Sequence, residues 1–575
     1  MEQRKPIGEL TRMRVGPWRD ILERSGYAAR FSQQTDEILR GIEFGVRVDF
    51  EGDREAARFG RNLPVTDEDA PKISAIIAAD VASGKKAGPF ARPPLSNFCV
   101  SPIGCVPKKG GAGKIRVIHH LSFPFGGDSI NASVRDAETP IGRFAQAVAC
   151  VQQAGRRCWL VKLDVEAAYK QIPVHPEDWH LLGFVWQGAH YYERVLPFGL
   201  KSSCRLWELF AVALHWLIEN WLQAPGVVHY VDDFLLVVAD EGAAAQHLRE
   251  VLALCATLGI PMAADKTEGP VTCLTFLGIE LDTAAMQARL PRVKLDELRR
   301  LAGEWEKKTV ATKKELQSLA GIINFACSVI PPGRAFLRRI INHTARMERE
   351  QPKGTRQAAW DVPPAVKADV RWWGQFAERW NGVSLLLDAE WTDADKLELF
   401  TDACESGYCA LCGDQWLEAR WTDEQRALAR RGSRESMPWF ELFALTTAVV
   451  TWGHRWQGRK IRFRCDCMPV VQAVHKLTTR TPSMMHLVRQ IVASACDFGF
   501  DFRIEHIPGV SNIEADLLSR YGCSSVPGQD FRAARPNARQ RFAASPTAPR
   551  PFLLPTEWES EPEREQPDQD APPMR

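Results

Sequence analysis

The chain has 575 residues, 45% hydrophobic and 25% charged, as in globular proteins that bury several cores. Its 73 basic and 71 acidic residues give a net charge of only +2, so a nucleic-acid surface would have to be a local patch. The absence of a bilayer-length apolar stretch and of a secretory signal excludes a membrane or secreted protein, and 15 cysteines without a disulfide framework favour a reducing compartment, cytoplasmic or nuclear.

Changes of pattern along the chain predict an α+β multidomain protein. Short helical patterns without a recognisable motif come first and end in a proline-rich stretch, and mixed strand and helix patterns follow. Basic helices, a tryptophan-containing connection, a second mixed domain and a proline-rich tail complete the chain, and this tail composition is typical of disorder. The predicted segments are 1–90, 91–284, 285–345, 346–395, 396–522 and 523–575.

The first mixed segment opens with basic residues and continues to a strand that ends in an acid. The run VPKKGGAGKIRVIHHLS, residues 106–122, carries lysines and an arginine that suit phosphate oxygens, although a solvated basic hairpin has the same composition. The strand WLVKLD then ends at Asp164. An acid in that position lies at the edge of a sheet, where acids from neighbouring strands can converge.

Two adjacent acids, Asp232 and Asp233, follow in the run VVHYVDDFLLVVAD, residues 227–240. Two valine- and leucine-rich strands flank them, which predicts a β-hairpin with both carboxylates at its tip. Taken alone, the pair could be a solvated acidic turn. Together with Asp164, it could instead hold two magnesium ions, which need hard oxygen ligands and support in-line phosphoryl displacement.

The order of these runs resembles the fingers and palm of retroelement reverse transcriptases. The matching runs are VPKKGGAGKIRVIHHLS, LDVEAAY, LPFGLKSS, YVDD, LGIPMAADKT and FLGIEL, over about residues 97–285. The resemblance implies a right-hand polymerase in which Asp164, Asp232 and Asp233 are the catalytic carboxylates. The backbone carbonyl of Val165 is implied as a further metal ligand. The basic helices of 285–345 look like a thumb lying against a duplex backbone, although a solvated helical face would show the same pattern.

The same resemblance implies roles for residues around the carboxylates. Lys109, with Lys108 as its rival, and Arg116 would hold the incoming triphosphate, and Tyr169 would be the aromatic gate that excludes a 2′-hydroxyl. Lys266 would protonate the leaving pyrophosphate. The strand-to-helix turn at Phe198 and Gly199 would line the nucleotide pocket and template, and Phe276, Leu277 and Gly278 would form the primer grip.

The second mixed segment has one acid on each of four successive elements. These acids are Asp402, Glu441, Asp466 and Asp516. Carboxylates that gather at the end of a sheet can hold the two metals of a nuclease. The set, with the closing run HIPGVSNIEADLLSR, resembles a retroelement ribonuclease H domain of α/β type, and His506 matches its mobile histidine. Cys409 and Cys412 form a single pair without a second pair at zinc-like spacing, so the sequence predicts buried or free thiols there.

The resemblance implies an RNA-directed DNA polymerase with an attached ribonuclease H. Its partners would be an RNA template, a DNA primer, an RNA–DNA hybrid and deoxynucleoside triphosphates, and its cofactor two Mg²⁺ per site, with Mn²⁺ as a possible substitute. The runs RVIHHLSFPFGGDSIN and PPGRAFLRRI resemble DIRS-type retrotransposons, with Ty3-like elements as the rival. The alternative is a decayed or domesticated nucleic-acid-binding protein, which the presence of all seven carboxylates disfavours.

Overall fold

The computed structural model describes residues 10–107, 113–136, 142–350, 358–380, 383–385, 391–393, 397, 399–413, 415–430, 437–479, 481–519 and 539–540. The chain divides into two compact units. Unit 1 is Met1–Leu277 with Asp282–Ala285, and unit 2 is Gly278–Leu281 with Met286–Arg575. Both units combine helices with sheets, so the predicted α+β class is confirmed. No described helix is both long and apolar enough to cross a bilayer, and the described cysteines form no disulfides.

Unit 1 consists of seven α-helices and ten strands in its described residues. Its helices are α1 (Val15–Arg24), α2 (Tyr27–Arg30), α3 (Ser32–Phe44), α4 (Asp69–Ala82), α5 (Phe144–Ala154), α6 (Ser203–Trp216) and α7 (Glu241–Leu258). Its strands are β1 (Lys86–Phe90), β2 (Ile103–Pro107), β3 (Ile115–His119), β4 (Trp159–Asp164), β5 (Gly183–Trp186), β6 (Ala189–Glu193), β7 (Val227–Tyr230), β8 (Asp233–Val238), β9 (Glu268–Val271) and β10 (Cys273–Phe276).

A four-stranded antiparallel sheet in the order β7-β8-β4-β9 forms the centre of unit 1. Strand β8 is buried from Phe234 to Val238 because apolar elements cover both of its faces, which explains its continuous run of apolar residues. Strands β2 and β3 form the separate basic hairpin predicted near residue 110. Strands β1, β6 and β5 form a third sheet.

The N-terminal segment, for which the sequence predicts no role, contributes to the core of unit 1. Trp18 is fully buried, and its indole N–H donates to the carbonyl of Leu258 at 3.0 Å. The Trp18 ring also meets Phe210 of α6 edge-to-face at 5.9 Å, and Tyr27 meets Trp216 at 5.3 Å. Helices α1 to α3 therefore cover α6 and the end of α7.

Unit 2 begins with a helical region. Its elements are β11 (Ile279–Asp282), β12 (Gln287–Arg289), α8 (Arg292–Lys307), β13 (Val310–Thr312), α9 (Lys313–Ala326), α10 (Arg338–Glu350), β14 (Ala359–Asp361), α11 (Pro364–Trp380) and β15 (Val383–Leu385). Strand β12 pairs with β15, and β13 pairs with β14. Rings of Phe336, Trp372 and Phe376 stack in parallel, with centroids 3.7 and 4.7 Å apart.

The second half of unit 2 has α/β architecture. Its elements are β16 (Thr392–Asp393), β17 (Leu399–Ala403), β18 (Gly407–Cys412), β19 (Gln415–Arg420), α12 (Asp423–Arg430), α13 (Met437–Trp452), β20 (Lys460–Cys465), α14 (Met468–Lys476), α15 (Pro482–Phe498), β21 (Asp501–His506), α16 (Ile513–Ser519) and β22 (Arg539–Gln540). Strands β17, β18 and β19 are antiparallel, and β20 and β21 are parallel. Of the tail 523–575, the described residues are those of β22, which pairs with β19; the rest of that prediction lies outside the described residues.

Candidate active sites

The three predicted polymerase carboxylates lie together in unit 1. Asp164 ends β4 and is the register partner of Asp233, the first residue of β8. The backbone N–H of Val165 donates to the carbonyl of Asp232 at 3.0 Å, which joins the two acidic segments directly. The turn between β7 and β8 is tight because Val231 adopts a positive φ of 56°. The geometry therefore places one acid of β4 against two acids of the hairpin.

The electrostatics of this cluster favour a bound cation. Burial, and after it the charges of Asp232 and Asp164, raise the pKa of Asp233 to about 6. Burial, together with the charge of Asp164, also raises the pKa of Asp232. Like charges held together and away from water are costly unless a cation neutralises them. Three carboxylates, from β4 and from the β7–β8 hairpin, supply the hard oxygen ligands that Mg²⁺ takes, so the donor set fits the predicted metal.

Lys266 supplies a positive charge to this cluster. Its ammonium group donates to both carboxylate oxygens of Asp164, at 2.8 and 2.9 Å. This hydrogen bond, with the charges of all three acids, raises the pKa of Lys266 despite the opposing effect of burial. The side chain remains about half exposed, so the ion pair can exchange with solvent or ligand.

A cleft of about 740 Å³ adjoins the carboxylates, and Arg116, Val165 and Phe198 are among the residues that line it. The guanidinium of Arg116 lies over the Phe198 ring at 4.7 Å, and the Tyr169 ring lies 5.3 Å from the same phenyl ring. Burial raises the pKa of Tyr169, so its hydroxyl stays protonated. The structure thus brings Arg116 and Tyr169 together against the ring of Phe198, and all three are predicted nucleotide-pocket residues. Lys109 and its rival Lys108 lie outside the described residues.

Other cations of the cleft are paired with acids. Lys170 donates to both oxygens of Asp80 at 2.7 Å. The buried Lys86 contacts Glu193 at 2.5 Å and Asp80 at 3.2 Å. These lysines have local counter-charges, whereas Arg116 faces an aromatic ring and is exposed. The triphosphate contacts of Arg116 and Lys109 stay predictions.

The turn after Phe198 is fitted closely to its surroundings. Gly199 has a φ of +111°, and a Cβ atom there would lie 2.0 Å from the carbonyl oxygen of His119. Only glycine fits such a position. The predicted primer grip is a second tight turn: Phe276 is fully buried at the end of β10, and Leu277 and Gly278 both adopt positive φ, 50° and 78°.

The second acidic cluster lies in the α/β half of unit 2. Carboxylate oxygens of Glu441 and Asp466 and the sulfur of Cys465 all lie within 4.8 Å of one another. Burial, followed by the charges of Asp402 and Asp466, raises the pKa of Glu441 to about 9. One Glu441 oxygen, Oε2, is buried without a hydrogen-bond partner among the described residues. An orphaned buried oxygen beside two further acids fits a site for divalent cations.

His506 and Asp516 lie on elements next to this cluster. The ring Nε2 of His506 lies 3.1 Å from the carbonyl oxygen of Asp466. Asp516 is on α16, one turn after Asn512, and its N–H donates to the Asn512 carbonyl. The amide of Asn512 is buried and donates to the carbonyl of Thr401 at 2.9 Å, and it lies 3.5 Å from Asp402 Oδ1. Helix α16 is thereby joined to β17, which carries Asp402.

Sequence reasoning missed several residues that hold these sites. Asn512 is one of them; its signal is a polar amide just before helix α16, four residues before Asp516. Trp207 is another, because its indole N–H donates to the carbonyl of Val231 in the acidic turn at 2.8 Å. Glu208 was not predicted either, and its signal is an acid within the apolar helical run CRLWELFAVALHW. The predicted thiols Cys409 and Cys412 are buried, and Cys409 donates to the carbonyl of Ala515.

Comparisons with known proteins give one family match and several similar polyproteins. Residues 106–281 match the family model described as "Reverse transcriptase (RNA-dependent DNA polymerase)". The chain is 24% identical over 504 residues to the Transposon Tf2-3 polyprotein of Schizosaccharomyces pombe. This alignment covers 85% of this chain and 33% of that protein. The chain is also 26% identical over 193 residues to the Enzymatic polyprotein of Cestrum yellow leaf curling virus, 33% of this chain and 27% of that protein. The chain thus spans about a third of the length of the Tf2 relatives.

Solved structures of foamy viral protease-reverse transcriptase are also similar to this chain. The complex with double-stranded DNA gives a TM-score of 0.48 at 14% identity and covers 88% of this chain and 83% of that chain. The complex with an RNA/DNA hybrid gives a TM-score of 0.40 at 14% identity and covers 91% and 86%. The prediction of a reverse transcriptase domain is confirmed by the family match over 106–281.

Proposed function

We propose that this chain, which carries a reverse transcriptase domain like that of retrotransposon polyproteins, is an RNA-directed DNA polymerase with an attached ribonuclease H. The observation that carries the proposal is the pairing of Asp164 with Asp233 beside a cleft lined by Arg116 and Phe198. Its substrates would be an RNA template, a DNA primer and deoxynucleoside triphosphates. Copying would take place inside the cell, as for a retrotransposon enzyme.

The carboxylates of unit 1 would hold two Mg²⁺ ions. Asp164, Asp232 and Asp233 would bind them, together with the backbone carbonyl of Val165. When bound, these ions supply charge neutralisation for the attacking 3′-hydroxyl and the leaving pyrophosphate. The same three carboxylates are costly to bury without a cation, as the raised pKa values of Asp232 and Asp233 indicate.

The surrounding side chains would bind and orient the nucleotide. Arg116 would contact triphosphate oxygens, for which a guanidinium is well suited. Tyr169, packed against Phe198, would lie under the sugar and clash with a 2′-hydroxyl. The Lys266 ammonium nitrogen lies 2.8 Å from Asp164 Oδ1, and it would pass a proton to pyrophosphate as the bond to the leaving group breaks.

The nuclease part of the proposal depends on the second acidic cluster. Asp402, Glu441, Asp466 and Asp516 would hold the two metal ions, and the close approach of Glu441 to Asp466 supports it. His506, bound to the Asp466 backbone, would take part in product release or metal exchange. The substrate would be the RNA strand of the hybrid that the polymerase makes.

Two assays test these activities separately. Primer extension on an RNA template with Mg²⁺ should give full-length DNA with the wild type and none with Asp232→Asn; equal product from both would contradict the polymerase proposal. A labelled RNA–DNA hybrid should be cut by the wild type and spared by Asp402→Asn. Survival of the hybrid with the wild type would contradict the nuclease proposal.

The proposal also concerns the type of retrotransposon that encodes this chain. The runs RVIHHLSFPFGGDSIN and PPGRAFLRRI support a DIRS-type element, and the similarity to Tf2 polyproteins supports the Ty3-like rival. The DNA flanking the coding sequence discriminates between them. A separate tyrosine-recombinase gene would support DIRS type, whereas long terminal repeats would contradict it.

A further inference from the structure

Helix α6 presents one face to the acidic hairpin and to Tyr169. Cys204, in its first turn, lies next to the Tyr169 side chain. One turn later, Trp207 donates to the carbonyl of Val231 inside the hairpin turn. The next residue, Glu208, reaches the strand that leads into the turn. A single helix therefore contacts both the tyrosine under the nucleotide pocket and the segment that carries Asp232.

Glu208 forms a buried hydrogen bond with His229, three residues before Asp232. Its Oε2 atom lies 3.0 Å from His229 Nε2, and only 3% of Glu208 is exposed. The other ring nitrogen of His229, Nδ1, lies 2.8 Å from Nδ1 of His215, which is also on α6. Burial lowers the pKa of His215 to about 4, so this ring is neutral and has one N–H to donate. The proton assignment that satisfies both contacts has His229 donating to Glu208 and accepting from His215.

The backbone of His229 is held from a different direction. A Cβ atom on Gly142 would lie 2.0 Å from the His229 carbonyl oxygen, so this glycine allows a contact that no other residue permits. The His229 ring also stacks on its cross-strand partner Phe234, with centroids 5.4 Å apart and planes 21° apart. The His229 ring is thus held by contacts to α6 and to Phe234, and its carbonyl lies against the Gly142 backbone, immediately before the turn.

The second carboxylate oxygen of Glu208 reduces the stability of the fold. Oε1 is buried and has no hydrogen-bond partner among the described residues. A buried carboxylate with one unsatisfied oxygen is poor for stability, and an apolar residue of similar volume would usually serve the core as well or better. Unlike leucine, Glu208 makes a directional hydrogen bond to His229, beside the acidic turn.

We propose that Glu208 and His229 are positioning residues, which fix the β7–β8 hairpin so that Asp232 and Asp233 face Asp164 in the geometry needed for metal binding. The inference rests on the proposed polymerase function for its consequence in catalysis. Its structural content, the order of the hairpin, can be measured without any activity.

Hydrogen exchange measures that structural content in the full chain. In Glu208→Leu, we expect amides of peptides covering residues 227–238 to exchange at least tenfold faster than in the wild type. Glu208→Gln keeps an oxygen that accepts from His229, so its exchange should stay within threefold of the wild type. The matched control is Glu250→Leu, which removes a carboxylate 3.1 Å from His247 on α7 and should leave the hairpin unchanged.

Steady-state primer extension measures the consequence for catalysis. We expect kcat of Glu208→Leu to fall about tenfold, KM for the deoxynucleotide to change less than twofold, and Glu208→Gln to recover most of kcat. The proposal would be overturned if the hairpin amides of Glu208→Leu exchanged at the wild-type rate. It would also be overturned if Glu208→Gln lost as much kcat as Glu208→Leu. A wild type that extends no primer would contradict the polymerase function instead, while hydrogen exchange would still decide the role of the pair.

A second substitution pair covers the case in which Glu208→Leu does not fold. His229→Gln can still donate to Glu208, whereas His229→Phe keeps the ring on Phe234 but loses both hydrogen bonds. We expect rapid hairpin exchange and low kcat for His229→Phe and near-wild-type values for His229→Gln. Equal behaviour of these two variants would refute the positioning role.

Discussion

Asp164 and Asp233 are opposite each other on the antiparallel strands β4 and β8. Next to this pair, the backbone N–H of Val165 donates to the carbonyl of Asp232 at 3.0 Å. This arrangement makes the distance between the acids depend on sheet pairing, which is rigid, and on one turn, which α6 supports. It also leaves three negative groups in a partly buried place, so metal, protons or Lys266 must offset their repulsion.

Neutralising one acid should remove polymerase activity without harming the fold. For Asp233→Asn we expect primer extension to fall by at least about 10²-fold, because a metal ligand is lost. We expect the melting temperature without Mg²⁺ to stay equal or rise, since the repulsion around Asp164 decreases. Asp36→Asn, which breaks an exposed ion pair with Arg40 on α3, is the control and should retain full activity. A large drop in melting temperature for Asp233→Asn would show that the acid is structural.

The Mg²⁺ requirement should depend on pH because the pKa of Asp233 is raised to about 6. The folded-state pKa lies above the unfolded value of 3.8, so without metal this carboxyl reduces stability as pH rises from about 4 to 6. Metal binding needs the ionised form. The half-saturating Mg²⁺ concentration should therefore rise up to about tenfold for each pH unit below 6, and Mg²⁺ titrations of primer extension from pH 5 to 8 measure it. A constant requirement over that range would contradict the raised pKa.

Removing the Lys266 charge should separate metal binding from proton transfer. The ammonium group occupies both oxygens of Asp164, so Lys266→Met should lower the Mg²⁺ concentration needed for half-maximal activity. If Lys266 protonates pyrophosphate, kcat should fall about 10²-fold, the lower range for a general acid. Lys266→Arg keeps the charge and is the matched comparison. An unchanged kcat in Lys266→Met would leave Lys266 as a counter-ion of Asp164 alone.

The sequence predicted the acids but not the residues that hold them. Asp164, Asp232 and Asp233 could be predicted because Asp164 ends an apolar strand and the other two acids lie at the turn between two more, and strand ends meet at one sheet edge. The acid within the apolar run of α6 marks Glu208, but its pairing with His229 could not be predicted, since side-chain pairing between a helix and a strand leaves no periodic signal. The contact of Trp18 with Leu258 joins residues 240 positions apart, and no local pattern in the first 90 residues indicates that they complete the core.

The raised pKa of Glu441 predicts a pH-dependent stability of the α/β half of unit 2. Burial and the neighbouring charges of Asp402 and Asp466 raise this pKa from 4.5 to about 9. At pH 7 the unfolded carboxyl is ionised and the folded one is protonated, so folding takes up a proton and stability falls as pH rises from about 4.5 to 9. In Glu441→Gln this contribution disappears.

Calorimetric melts in EDTA at pH 5, 7 and 9 measure this difference. We expect the melting temperature of the wild type to fall more steeply with pH than that of Glu441→Gln, and the two curves to diverge most at pH 9. Mg²⁺ should stabilise the wild type at pH 8 and release a proton as it binds, while the variant should respond weakly. Glu424→Gln, an exposed position on α12, is the control and should follow the wild type. Parallel pH profiles for wild type and Glu441→Gln would mean that Glu441 is already ionised in the folded protein, and that its neighbours offset the charge without metal.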